Sequence, residues 1–76
     1  MPKLPVIPAK ELLRLLLKYG CVYISSKGSH FKIHNPKANR TTVIPVHSNR
    51  DLSKALFANI LSQLDIDIDE FLDFMK

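Results

Sequence analysis

A chain of 76 residues with 46% hydrophobic and 24% charged side chains fits one small domain over residues 1–76, with no room for a second core. Its single cysteine, Cys21, excludes an internal disulfide, and no apolar run approaches the roughly 20 residues that span a bilayer. The net charge of +4 is uneven: residues 1–50 hold nine Lys or Arg against one acid, Glu11, whereas residues 51–76 hold two bases against six acids.

The opening MPKLPVIPAK lacks the apolar block and cleavage site of a secretory signal, so a cytoplasmic protein is expected. AKELLRLLLKYG then sets Leu12, Leu13, Leu16 and Leu17 on one side at helical spacing, with Lys10, Arg14 and Lys18 opposite. Gly20 suits the helix end, and Leu15 widens the apolar arc. CVYISS is β-branched and aromatic, too short for a helix, and bounded by Gly20 and Lys27-Gly28, so it predicts a strand. HFKIH alternates, with Phe31 and Ile33 pointing one way and His30, Lys32 and His34 the other. NPKANR predicts a loop, in which Asn39 tolerates a left-handed conformation. TTVIPV predicts a third strand, placed at an edge or a strand end because Pro45 cannot donate to a ladder. SKALFANILSQL carries Leu56, Phe57, Ile60, Leu61 and Leu64 at helical spacing behind a capping Ser53. DIDEFLDFM adds a short helix with a capping-box pair, Asp67 and Glu70. The order α-β-β-β-α(α) predicts an α+β fold: a three-stranded antiparallel sheet with helices on one face and the other face open.

KGSHFKIH poses the functional question, because His30 and His34 lie four residues apart. On a helix they could share a metal ion, but on a strand they are roughly 13 Å apart, too far for two parallel imidazoles. No metal site is therefore expected, and no cofactor. Phe31 and Ile33 occupy the apolar face, which leaves His30 and Lys32 on the open one, with His34 solvated beside the loop. An imidazole, with a reference pKa of roughly 6.5, exchanges protons near neutral pH. RNA carries its own nucleophile, the 2′-hydroxyl beside each phosphodiester. A general base that removes this proton starts in-line attack and leaves a 2′,3′-cyclic phosphate without a metal, for a gain of about 10²–10⁴-fold. Lys32, roughly 7 Å along the strand, is placed to steady charge on the phosphate. The leaving oxygen needs a proton. If strands two and three form a hairpin across 35–40, Pro45 falls opposite His30 and His47 falls diagonally near it, so His47, Lys32 or water can supply it.

Across nearly the whole chain the pattern resembles the HicA-type toxins of HicAB toxin–antitoxin pairs. The resemblance rests on MPKLP, ELLRLLLKYG, KGSH at Lys27–His30, IPVH at Ile44–His47, NRDLSKAL at Asn49–Leu56, ANIL at Ala58–Leu61 and the EFL of Glu70–Leu72. It implies a fold like that of double-stranded-RNA-binding domains, an endonuclease that cleaves messenger RNA and halts growth, and a HicB-type antitoxin that covers the active face. It implies His30 as the catalytic residue, and the motif and neighbouring cations, Lys27, Gly28, Ser29, Lys32, Lys37 and Arg40, are the candidate RNA contacts. Three positions depart from the family pattern: Phe31 stands where a second His is frequent, Ser25 where a basic residue is common, and Ala55 where a glycine is frequent. Two other readings stay open, an RNA-binding module with little cleavage and a protein-interaction domain whose basic face meets an acidic partner.

Overall fold

A computed structural model describes residues 4–46 and 50–76. Helix α1 covers Ala9–Tyr19, strands β1, β2 and β3 cover Val22–Lys27, His30–Asn35 and Arg40–Pro45, and helices α2 and α3 cover Lys54–Gln63 and Ile68–Met75. The strands form one antiparallel sheet in the order β1-β2-β3, so β2, with His30 at its start, is central. The α+β fold and the α-β-β-β-α-α order are as expected.

Local chemistry fixes the element ends. Gly20, at φ +131°, ends α1 and donates its N–H to Leu16 O at 3.2 Å. The β1–β2 connection is the two-residue turn Gly28-Ser29, closed by the pair Lys27↔His30. Gly28 sits at φ +60° and Ser29 is not left-handed, the pattern of a turn whose first central position favours glycine. Asn39 takes the left-handed conformation expected of it, with φ 53°. Pro45 is the last residue of the edge strand β3, satisfying both conditions its missing N–H imposes. Ser53 caps α2 by accepting from Leu56 N at 3.1 Å. Asp67 caps α3 by accepting from Glu70 N at 3.1 Å, but Glu70 instead accepts from the Tyr19 hydroxyl at 3.4 Å, so only half of the capping box forms as written in the sequence.

The core lies between the helices and one sheet face. Leu12 and Leu16 of α1, Ile33 and Ile44 of the sheet, Phe57, Ile60, Leu61 and Leu64 of the α2 segment, and Phe71 of α3 are all buried. Tyr19 stacks edge-on against Phe71 and Phe74, at centroid separations of 5.3 and 5.1 Å, and so ties α1 to α3. Two expectations change. Leu17 is exposed, because α1 is turned so that Ala9, Leu12 and Leu16 face inward and Leu13, Leu15 and Tyr19 flank them. Asn35 is the last residue of β2 rather than a loop residue, and it is buried; its Nδ2 donates to Leu64 O at 2.8 Å and its Oδ1 accepts from Lys37 N at 3.3 Å.

Candidate nucleic-acid interface

Strand pairing decides what shares a face with His30, because directly opposed residues project to the same side. The pairs His30↔Pro45, Lys32↔Val43 and His34↔Thr41 on one flank, and Lys27↔His30 and Ser25↔Lys32 on the other, build the outer face. Phe31, Ile33 and Asn35, with their partners Ile44, Thr42 and Arg40, belong to the face the helices cover. His30, Lys32, Lys27, Ser25 and Val43 are all exposed. The expected placement of His30 and Lys32 on an open sheet surface therefore holds, as does the expected Pro45↔His30 register.

Lys27 reaches that surface through an irregularity. From Lys27 back to Ser25 the β1–β2 register is regular; between Tyr23 and Ser25 it shifts, leaving Ile24 as one extra residue in β1. Tyr23 pairs with Ile33 on the helix side, so strict alternation would have carried Ser25 and Lys27 there too. The bulge reverses the parity, and Lys27 lands opposite His30. Re-aiming a side chain next to a working site is a known use of such bulges. The Gly28-Ser29 turn is held in turn from β3, whose neighbour Val46 donates its N–H to Ser29 O at 2.7 Å. His30 thus stands between a lysine on one neighbour strand and a proline on the other, beside a turn anchored on both sides.

The remaining sequence candidates separate. Gly28 and Ser29 lie beside His30 in the turn. Lys37 lies in the turn between β2 and β3, and Arg40 pairs with Asn35, five residues along β2 from His30, or roughly 17 Å at strand rise. The sheet brings Lys27 and Lys32 to His30 and leaves Lys37 and Arg40 at its far end. His47 lies outside the described residues. His34 is not simply solvated: it is half-buried, with Nδ1 2.9 Å from Thr41 Oγ1. Phe31 projects to the helix side, in edge-on contact with Tyr23 at 6.3 Å. A histidine at position 31 would face away from the His30 surface, so that departure from the family pattern leaves the surface itself unchanged. Ser25, opposite Lys32, does leave a neutral hydroxyl where a cation would have enlarged the basic strip.

Among the described residues no group of three or more His, Cys, Asp or Glu is placed to hold a metal ion, and no helix is long and apolar enough to cross a membrane. Burial pushes the Cys21 thiol above its usual range, the behaviour of a core thiol rather than a nucleophile.

Compared with known families, residues 9–66 match the model of the HicA toxin of bacterial toxin–antitoxin systems. The chain belongs to the HicA toxin family. Among curated proteins the sequence finds no match. As a HicA toxin it has an antitoxin as its partner, and the match runs from the first residue of α1 through all three strands and α2, so it contains the whole basic strip around His30.

Proposed function

We propose that this HicA toxin is a metal-independent endoribonuclease of messenger RNA, acting in the cytoplasm, with His30 as its catalytic residue. The observation that carries the reading is the grouping of an exposed imidazole with Lys27 and Lys32 on an uncovered sheet face. In the proposed step His30 takes the proton of a ribose 2′-hydroxyl, whose oxygen attacks the adjacent phosphorus. The 5′-oxygen leaves with a proton from water, Lys32 or His47, giving a 2′,3′-cyclic phosphate and a 5′-hydroxyl end. Lys27 and Lys32 flank the phosphate and offset the charge that grows on its oxygens in the transition state. Gly28 lets the backbone beside His30 approach the ribose–phosphate chain closely, since no side chain stands there.

The exposed cations Lys27 and Lys32 attract either phosphates or carboxylates, so the same surface fits an acidic inhibitor. The proposed antitoxin, of HicB type, covers the His30–Lys32 face and competes with RNA for it.

The test is cleavage by the purified toxin in EDTA. Wild type should cut RNA, leave cyclic-phosphate ends, and spare a substrate whose sugar before the cut lacks the 2′-hydroxyl. His30→Ala should keep the wild-type circular dichroism spectrum and melting temperature within about 2 °C, since an exposed position carries little packing, and should cut at least about 100-fold more slowly. Efficient cutting of DNA, or full activity in His30→Ala, defeats the mechanism.

A further inference from the structure

Where β3 ends, a small cleft of about 140 Å³ opens between the starts of α1 and α2. Pro45 forms one wall, Ala9, Leu52 and Leu56 supply apolar lining, and Arg50, Asp51 and Ser53 complete it. The cleft is braced by the chain before α1: Pro8 and Asp51 form an antiparallel bridge, and Leu52 donates its N–H to Ile7 O at 2.8 Å. Its position matters because Pro45 is the residue directly opposite His30. One wall of the cleft is therefore one strand spacing, roughly 5 Å, from the strand that carries the proposed base.

Size and lining restrict what fits. Sites for whole drug-sized ligands are roughly 300–1,000 Å³, so this one suits a single planar ring system. Apolar walls favour removing such a ring from water, whereas a surface built only to hold phosphate has no use for them. Asp51 is the more telling residue. A carboxylate beside a phosphate path weakens RNA binding unless it accepts hydrogen bonds from a base. Guanine alone among the four bases presents two adjacent N–H donors, at N1 and N2, matching the two oxygens of a carboxylate. Its O6 and N7 acceptors suit a guanidinium. Both partners stand side by side here as Arg50 and Asp51.

We propose that this cleft is a nucleobase subsite that selects guanine at the nucleotide adjoining the cleaved phosphodiester. The inference rests on the endoribonuclease reading and adds a sequence preference to it. It is tested on the wild-type toxin with uncleavable 2′-fluoro RNA pentamers, UUGUU against UUUUU, by fluorescence anisotropy. UUGUU should bind about 5- to 150-fold more tightly, the range a good bidentate contact supplies. Asp51→Asn should bring the two pentamers to within about two-fold of each other without weakening binding of UUUUU, and Arg50→Gln should reduce the ratio. Equal binding of both pentamers by wild type overturns the subsite while leaving RNA recognition intact. A preference that survives Asp51→Asn places its source elsewhere and also overturns it. Failure to bind either pentamer removes the RNA reading, and the subsite with it.

Discussion

Asn35→Ala gives the sharpest test of how the working strand is held. The Asn35 amide is buried at 7% exposure and spans from the end of β2 to Leu64 O, which follows α2. Truncation removes this bond and the one from Lys37 N, and leaves the Leu64 carbonyl without that donor. Leaving a buried polar partner unsatisfied costs about 1–3 kcal/mol. A domain of this length has a total stability of about 4–11 kcal/mol at the usual per-residue values, so a loss of about 2 kcal/mol is a large fraction of it. For 60–100 residues, each kcal/mol lowers Tm by about 4–8 °C, so the expected drop is about 8–16 °C. Thermal unfolding followed by circular dichroism measures it, with Asn59→Ala, an exposed position on α2, as the control expected to move by no more than about 4 °C. At 15 °C, where the variant is still folded, RNA cutting per folded molecule should match wild type, because Asn35 lies on the helix side of the sheet. A drop no larger than that of the control would show that the amide does not hold the sheet to the helical layer, and the reasoning about burial would fail with it.

Gly28→Ala should lower Tm by about 4–16 °C, because φ +60° costs an L-residue about 1–2 kcal/mol even though a Cβ there meets nothing within 4 Å; Gly28→Asn should recover part of the loss. Lys27→Ala and Lys32→Ala should each reduce the salt dependence of single-stranded RNA binding by about 0.7 in log–log slope, while Lys37→Ala and Arg40→Ala should leave binding of a pentamer nearly unchanged; titrations in 50–300 mM salt distinguish them. Tyr19 has its pKa raised above 10, first by burial and then by the charge of Glu70. The folded state therefore holds the phenol proton more tightly than the unfolded chain. The stability this gives is fully present below pH 10 and lost as pH rises through the folded value. Between pH 9 and pH 11.5, Tm should fall more steeply in wild type than in Tyr19→Phe; parallel curves would contradict the assignment.

Much of this was legible in the sequence because the signals were local. Alternation in HFKIH fixed the faces of β2, Gly28 and Asn35-Pro36 bounded it, and Pro45 had few places to sit. The register His30↔Pro45 followed from counting across a hairpin. What escaped depended on contacts between distant segments. Leu17 and Leu15 are equally apolar, and only the docking of α1 against α3 and the sheet decides which of them is covered. Asn35 beside Pro36 carries a strong turn signal, and nothing nearby in the chain announces an acceptor at Leu64. His34 has a partner, Thr41, that the same hairpin count would have supplied. The bulge at Ile24 left no clear mark in CVYISS, since Ser25 and Ser26 are polar enough for either face. Arg50 and Asp51 lie between recognisable elements, and their place beside Pro45 emerges only when the end of β3, the start of α1 and the start of α2 meet.

The extra residue in β1 makes the chemistry of this toxin a matter of odd and even. All six side chains of β1 are exposed, so the strand has little packing with which to resist a change of count. Deleting Ile24 would remove no charge and no buried side chain, and would restore regular pairing with Tyr23 still opposite Ile33 and Lys27 still opposite His30. The cation would stay beside the imidazole; ironing out the bulge with Ile24 retained is what would turn Lys27 to the helix side. The spare residue thus lets this strand lose one codon in frame and still present its lysine to His30.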